Sequence, residues 1–135
     1  MIFVDTNVLI DIATGDPGWA DWSHQALASA HLRGPLLINA IVYAEFAIGF
    51  EAQSDCDAEM EKFDLTLAEI PKSAAFRAAQ AFRLYRRAGG ARTAALPDFF
   101  IGAHASVAGA SLLTRDARRY RAYFPELTLV APDGE

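Results

Sequence analysis

Apolar residues follow two rhythms along this chain, short unbroken runs and longer stretches in which they recur every three or four positions. Ile2-Phe3-Val4, Leu36-Leu37-Ile38, Leu112 to Thr114 and Leu127 to Val130 have the length and composition of buried strands. A weaker strand is expected at Leu67 to Ile70. Between the runs the period lengthens. Asp5-Thr6-Asn7 can cap a helix carrying Val8, Leu9 and Ile12, and Asp16-Pro17 predicts a second helix through Trp19, Trp22 and Leu27, ending near Gly34-Pro35. Asn39 can cap a helix running through Glu45 to about Phe50, and the acidic segment from about Ser54 to Phe63 reads as another. Ser73 and Gly89-Gly90 bracket a helix with Phe76, Ala79 and Phe82 expected inside and Arg83, Arg86 and Arg87 facing water or a ligand. Pro97 opens a helix whose Gly102, Ala105 and Gly109 allow close packing, and a last helix is expected from about Asp116 to Tyr123. Strands alternating with helices at this spacing predict an α/β sandwich around a parallel sheet.

That architecture makes four acidic residues conspicuous. Asp5 closes the first strand, Glu45 sits among Val42, Tyr43, Phe46 and Ile48, Asp98 follows Pro97 and Asp116 follows Leu112 to Arg115. In a parallel sheet, strand ends and helix N-termini share one rim, so all four can meet there. If the first strand and the Leu112 to Thr114 strand are neighbours, Asp5 and Asp116 start about 4.8 Å apart across the ladder. Singly, Asp5 and Asp116 are explained as helix caps and Asp98 by the helix dipole. An ionised Glu45 within an apolar segment is not explained so cheaply. Carboxylates gathered together repel one another by about 3 to 4 kcal/mol per close pair, and a divalent cation is the usual remedy. Thr6, Asn7 and Thr114 lie beside the acids and can orient a ligand or water. Asp11, Asp21 and Glu51 are expected to face solvent, and His24, His31 and His104 to be cap or surface residues.

At 135 residues with 53% apolar content, one domain spanning 1–135 is expected. No apolar stretch approaches the roughly 20 residues of a membrane span, and Met1 runs directly into the first strand without signal-peptide features. A cytoplasmic protein with no membrane association is therefore expected. The lone Cys56 is read as an ordinary surface or partly buried thiol. The net charge of −5 argues against a polyanionic partner until its distribution is considered. Up to Phe76 the basic residues are Arg33, Lys62 and Lys72, whereas Arg77, Arg83, Arg86, Arg87, Arg92, Arg115, Arg118, Arg119 and Arg121 follow. That half suits phosphate contacts, and equally an ordinary solvated surface.

Phe3-Val4-Asp5-Thr6-Asn7-Val8-Leu9-Ile10, Ala44-Glu45, Leu96 to Ala105 and Leu112 to Asp116, with Tyr123-Phe124 and Leu127 to Val130 downstream, occur in an order and spacing that covers essentially the whole chain. In these segments the chain resembles the PIN-domain ribonucleases, and within them the VapC toxins of toxin–antitoxin pairs. The resemblance implies a PIN-like three-layer α/β/α sandwich around a central parallel sheet of four to five strands. It implies an acidic catalytic and metal site of Asp5, Glu45, Asp98 and Asp116, with Mg2+ or Mn2+ as cofactor. It also implies an RNA substrate, a homodimer and a cognate antitoxin. Phe99-Phe100 departs from the smaller residues often found there and bears on pocket shape.

On this reading, Asp5 and Asp98 ligate directly, Asp116 and Glu45 directly or through water, and one or two cations drive in-line attack of water on the phosphodiester. Asn7, Thr114 and Thr6 support the ligands, while Arg83, Arg86, Arg87 and Arg115 are candidates for holding RNA. Trp19 and Trp22 would be exposed interface anchors. Two alternatives stand beside it. A haloacid-dehalogenase-like phosphatase wants a second Asp where this chain has Asn7. A catalytically inactive PIN-like scaffold or RNA-binding module would keep the acids as caps.

Overall fold

Ile2–Val4 (β1), Leu36–Ile38 (β2), Thr66–Leu67 (β3), Ser111–Leu113 (β4) and Leu129–Val130 (β5) align into one parallel sheet of order β3-β2-β1-β4-β5. The computed structural model describes residues 1–90 and 95–132, so Arg92 and the tail residues 133–135 lie outside the described residues. Seven helices among them flank the sheet: Thr6–Thr14 (α1), Ala20–His31 (α2), Ala40–Ala47 (α3), Gln53–Glu61 (α4), Lys72–Arg87 (α5), Leu96–Val107 (α6) and Arg118–Tyr123 (α7). The result is the expected three-layer α/β/α sandwich. Phe3, Val4, Leu112 and Leu113 are fully buried, as a parallel sheet covered on both faces requires.

Strand order matters for function. β1 is central, and the chain leaves it toward β2 and β3 on one side before returning to β4 and β5 on the other. The crevice at the carboxyl ends of β1 and β4 is thus a topological switch point, where open α/β sheets bind ligands. Register brings Val4 opposite Leu113, and Asp5 N–H extends the ladder by donating to Leu113 O at 2.8 Å.

Several elements differ from expectation. The edge strand β3 is two residues long and exposed, starting before Leu67, and β5 begins two residues after Leu127. Asp16 caps a turn instead of opening α2 directly: its Oδ2 accepts from Gly18 N–H and Trp19 N–H, and the helix starts at Ala20. α3 stops at Ala47, short of Phe50. α7 begins at Arg118, so Asp116 precedes the helix and does not cap it. On α5 the buried line is Ala74, Ala78 and Ala81, while Phe76 is 67% exposed and Ala79 faces water. α5 packs most extensively against α6, and close helix contact favours small residues over the phenylalanine that periodicity alone placed inside.

Gly102 on α6 is required by close approach. A Cβ there would stand 2.8 Å from ring atoms of Phe124 and 3.0 Å from Tyr120 Cδ1, so the glycine lets α7 and its following residue lie directly against α6. Gly109 does not serve packing; its φ of +67° ends the segment after α6 in the left-handed conformation. Phe99 lies in an aromatic cluster, with ring centroids 5.7 Å from Phe82, 5.2 Å from Tyr85, 5.5 Å from Tyr123 and 6.1 Å from Phe124. It fills the core between α5, α6 and α7 and does not shape the cavity described below. Cys56 is buried as well, 1% exposed, rather than at the surface. No helix among the described residues is long and apolar enough to cross a membrane.

Candidate active site

An open cavity of about 970 Å³ lies at the switch point, and Asp5, Glu45, Asp98 and Asp116 all line it. Four distant stretches of sequence therefore converge as the rim geometry required. Asp5 arrives on the end of β1, Asp116 on the loop after β4, Asp98 in the first turn of α6 and Glu45 six residues into α3.

Asp5 is the most constrained of them. Only 5% exposed, it accepts from Thr6 N–H at 2.8 Å through Oδ1, and from the hydroxyls of Thr114 at 2.8 Å and Tyr120 at 2.9 Å through Oδ2. Asn7 Nδ2 adds a longer bond to Oδ2 at 3.4 Å. Burial, reinforced by the nearby charge of Asp98, nevertheless pushes its pKa from 3.8 to about 7. The opposing hydrogen bonds do not cancel the desolvation. A buried carboxylate raised this far, with a like charge beside it, is the signature of a site short of positive charge.

The other acids share that field. Glu45 is raised by burial and by Asp98, although Thr6 Oγ1 donates to its Oε1 at 2.6 Å. Asp98 is also raised by burial, with Asp116 adding to it, despite a 2.6 Å ion pair from Arg119 Nη1 to its Oδ2. Asp116 moves the other way, because the hydrogen bond from Arg118 favours its charged form. Tyr120 is held well above its ordinary value by burial and by the charges of Asp5 and Asp98, so its hydroxyl stays protonated and donates. Among the described residues no three His, Cys, Asp or Glu side chains stand close enough together to enclose a cation as placed; Arg119 and Arg118 engage Asp98 and Asp116.

Thr6, Asn7 and Thr114 tie the acids to the backbone. Asn7 Nδ2 reaches Thr114 Oγ1 at 3.3 Å and its Oδ1 accepts from Arg115 N–H at 3.3 Å, while Asp116 N–H donates to Thr114 Oγ1 at 3.1 Å. The loop bearing Asp116 is thus pinned to the start of α1. Beneath it lies a polar cluster that sequence reasoning placed in solvent. Asp11 is 2% exposed, and its Oδ2 accepts from Arg115 Nε at 2.8 Å and Ser23 Oγ at 2.9 Å. Arg115 also stacks over Trp19 at 5.5 Å. Trp19 and Trp22 are half-buried and in edge contact with each other at 6.0 Å, not free anchors.

His104 is buried rather than at a cap or surface, packed 4.5 Å from Phe3, with Asn39 Nδ2 3.2 Å from its Nδ1. Asn39 Oδ1 meanwhile accepts from Ile41 and Val42 N–H, capping α3 as expected and fixing the helix that carries Glu45. Sequence reasoning missed Tyr120, Arg118 and Arg119 as cavity residues, although they follow Asp116 within four positions. Arg83, Arg86 and Arg87 are exposed on α5, and neither they nor Arg115 are among the cavity's described lining.

Comparison with known proteins places the fold. The structure superposes on a chain of VapBC2 from Rickettsia felis bound to a promoter DNA fragment with a TM-score of 0.76 and 20% identity, covering 98% of this chain and 100% of that one. For VapBC-1 of nontypeable Haemophilus influenzae the values are 0.72 and 18%, covering 97% and 98%. For a toxin–antitoxin complex from Klebsiella pneumoniae they are 0.69 and 23%, covering 96% of each chain. At these identities the likeness is one of fold. No curated protein matches significantly by sequence. The family model for the PIN domain matches residues 2–125, almost all of the sheet and all four acids, and the chain belongs to the PIN domain family.

Proposed function

We propose that this protein is a metal-dependent endoribonuclease acting as the toxin of a toxin–antitoxin pair, with Asp5, Glu45, Asp98 and Asp116 as its catalytic and metal-binding residues. The observation that carries the reading is their convergence on one cavity in a field that raises three of the four. The donor set is oxygen only, which fits a hard cation such as Mg2+ or Mn2+. Asp5 and Asp98 would hold it, with Glu45 and Asp116 completing the set directly or through water. A bound cation would supply Lewis acidity at the scissile phosphate and to the attacking water.

The chain's own groups prepare that chemistry. Thr114 and Tyr120 orient Oδ2 of Asp5, and Thr6 holds Glu45, so the carboxylates are aimed before substrate arrives. The lining contains no Ser, Cys or His among the described residues, which suits attack by water over a covalent intermediate. PIN membership displaces the phosphatase alternative, in which the position of Asn7 would carry an acid.

The fold likeness to chains of VapBC and other toxin–antitoxin complexes supports an antitoxin partner; a homodimer and a cytoplasmic location are part of the same proposal. Ile10 and Ile48, 39% and 84% exposed beside the acids, give such a partner apolar surface to bury. Arg83, Arg86 and Arg87 are exposed on α5 and would meet an RNA backbone outside the cavity, whereas Arg115 is committed to Asp11 and Trp19.

Purified protein incubated with total RNA and Mg2+ tests the proposal, with new RNA ends mapped by sequencing. Discrete new ends are expected from the wild type, none in chelator, and none from Asp5→Asn protein whose fold is verified by circular dichroism. Cleavage that survives in D5N overturns the assignment.

A further inference from the structure

We propose that Arg119 serves two partners in succession: Asp98 while the cation is away, and a phosphate of the bound RNA once a divalent cation has taken Asp98. The inference rests on the nuclease reading of the cavity and assigns a role that the acids alone leave open. Arg119 lines the same cavity as the four carboxylates, and its Nη1 lies 2.6 Å from Asp98 Oδ2. Both side chains are about a third exposed, 37% and 34%. A pair that wet contributes little, and a doubly charged ion offered by the solvent can replace a single guanidinium. Without the cation the arginine neutralises part of the repulsion between Asp98 and its neighbours. With it, the two positive charges compete for one carboxylate.

The displaced guanidinium has a place to stay. It already lies 5.5 Å from the ring centroid of Tyr85, a cation–π bed within reach of Asp98. Its backbone is held by the residue that follows it: Tyr120 is buried, bonded to Asp5 and packed against Gly102 on α6. An arginine anchored this firmly beside a cation site can offer two N–H groups to a phosphate. Arg118 differs, since it pairs with Asp116 from a side chain that is 83% exposed. The arginines on α5 do not line the cavity.

Mn2+ titration followed by electron paramagnetic resonance, without RNA, separates the outcomes for wild type, Arg119→Gln, Arg119→Lys and Asp98→Asn. R119Q should bind Mn2+ about fivefold more tightly than wild type, R119K should fall between them, and D98N should bind more weakly. At saturating Mn2+, R119Q should cleave a short oligoribonucleotide with a KM raised about tenfold by the lost charge-assisted contact. Unchanged or weaker Mn2+ affinity in R119Q overturns the competition, and tighter Mn2+ with unchanged cleavage kinetics overturns the phosphate contact. If wild type and D98N bind Mn2+ equally or not at all, the cation site itself is wrong and the nuclease reading falls with it.

Discussion

Asp5 is held against its own preference. Three short hydrogen bonds stabilise its charge, yet burial and Asp98 leave its pKa near 7 rather than 3.8. The folded chain therefore keeps a proton that the unfolded chain releases at lower pH, so the contribution of this group to stability declines as pH rises from about 4 to about 7 and then levels off. Glu45 and Asp98 are shifted in the same direction and add to the decline. In chelator, D5N should melt at a higher temperature than wild type, with the gap widening between about pH 4 and pH 7 to the equivalent of about 1 kcal/mol or more. Parallel melting curves for the two proteins across that range would show that the acid carries no such strain. Asp5 itself was legible in the sequence as a strand-end acid in apolar company. Tyr120 was not, because a buried tyrosine in a helix reads as core until the fold shows where its hydroxyl ends. Asp11 misled for the opposite reason: its partners Arg115 and Ser23 are distant in sequence and distinctive only in space.

The elements that build the site are held by a few close contacts. α7 carries Tyr120 and Arg119 toward Asp5 and Asp98 because Gly102 leaves room for it on α6, and the rings it touches are buried and cannot swing aside. Gly102→Ala should therefore cost about 1 to 3 kcal/mol in urea unfolding and lower cleavage by shifting both α7 side chains. A variant as stable and active as wild type would mean that α7 is not seated by this contact. The helices of the rim were legible through Asn39, Pro97 and the strand-end acids, since capping and first-turn chemistry are local. The inner face of α5 was not. Its choice of Ala78 and Ala81 over Phe76 depends on how near α6 comes, and that distance is absent from any helical period. The length of β3 was illegible for a similar reason, as an exposed edge strand is shaped by its single neighbour β2 more than by its own residues.

At the scale of the whole molecule, strand order turns scattered acids into a site. The switch between β1 and β4 places the ends of two neighbouring strands and the starts of α3 and α6 around one crevice. Alternation of strands and helices predicted that rim, while the order β3-β2-β1-β4-β5 came from the structure. The placement of the four acids at strand ends and in early helix turns made their meeting plausible, and it has a physical consequence: burial and neighbouring like charge raise Asp5, Glu45 and Asp98, while Arg118 holds Asp116 in its charged form. The most direct measurement is an anomalous difference map from crystals grown with Mn2+. A peak coordinated by Asp5 and Asp98, with Glu45 and Asp116 facing it and Arg119 withdrawn from Asp98, is the predicted result. A cavity with no peak at saturating Mn2+, or a peak bound elsewhere while the Arg119 to Asp98 pair stays intact, would contradict the account.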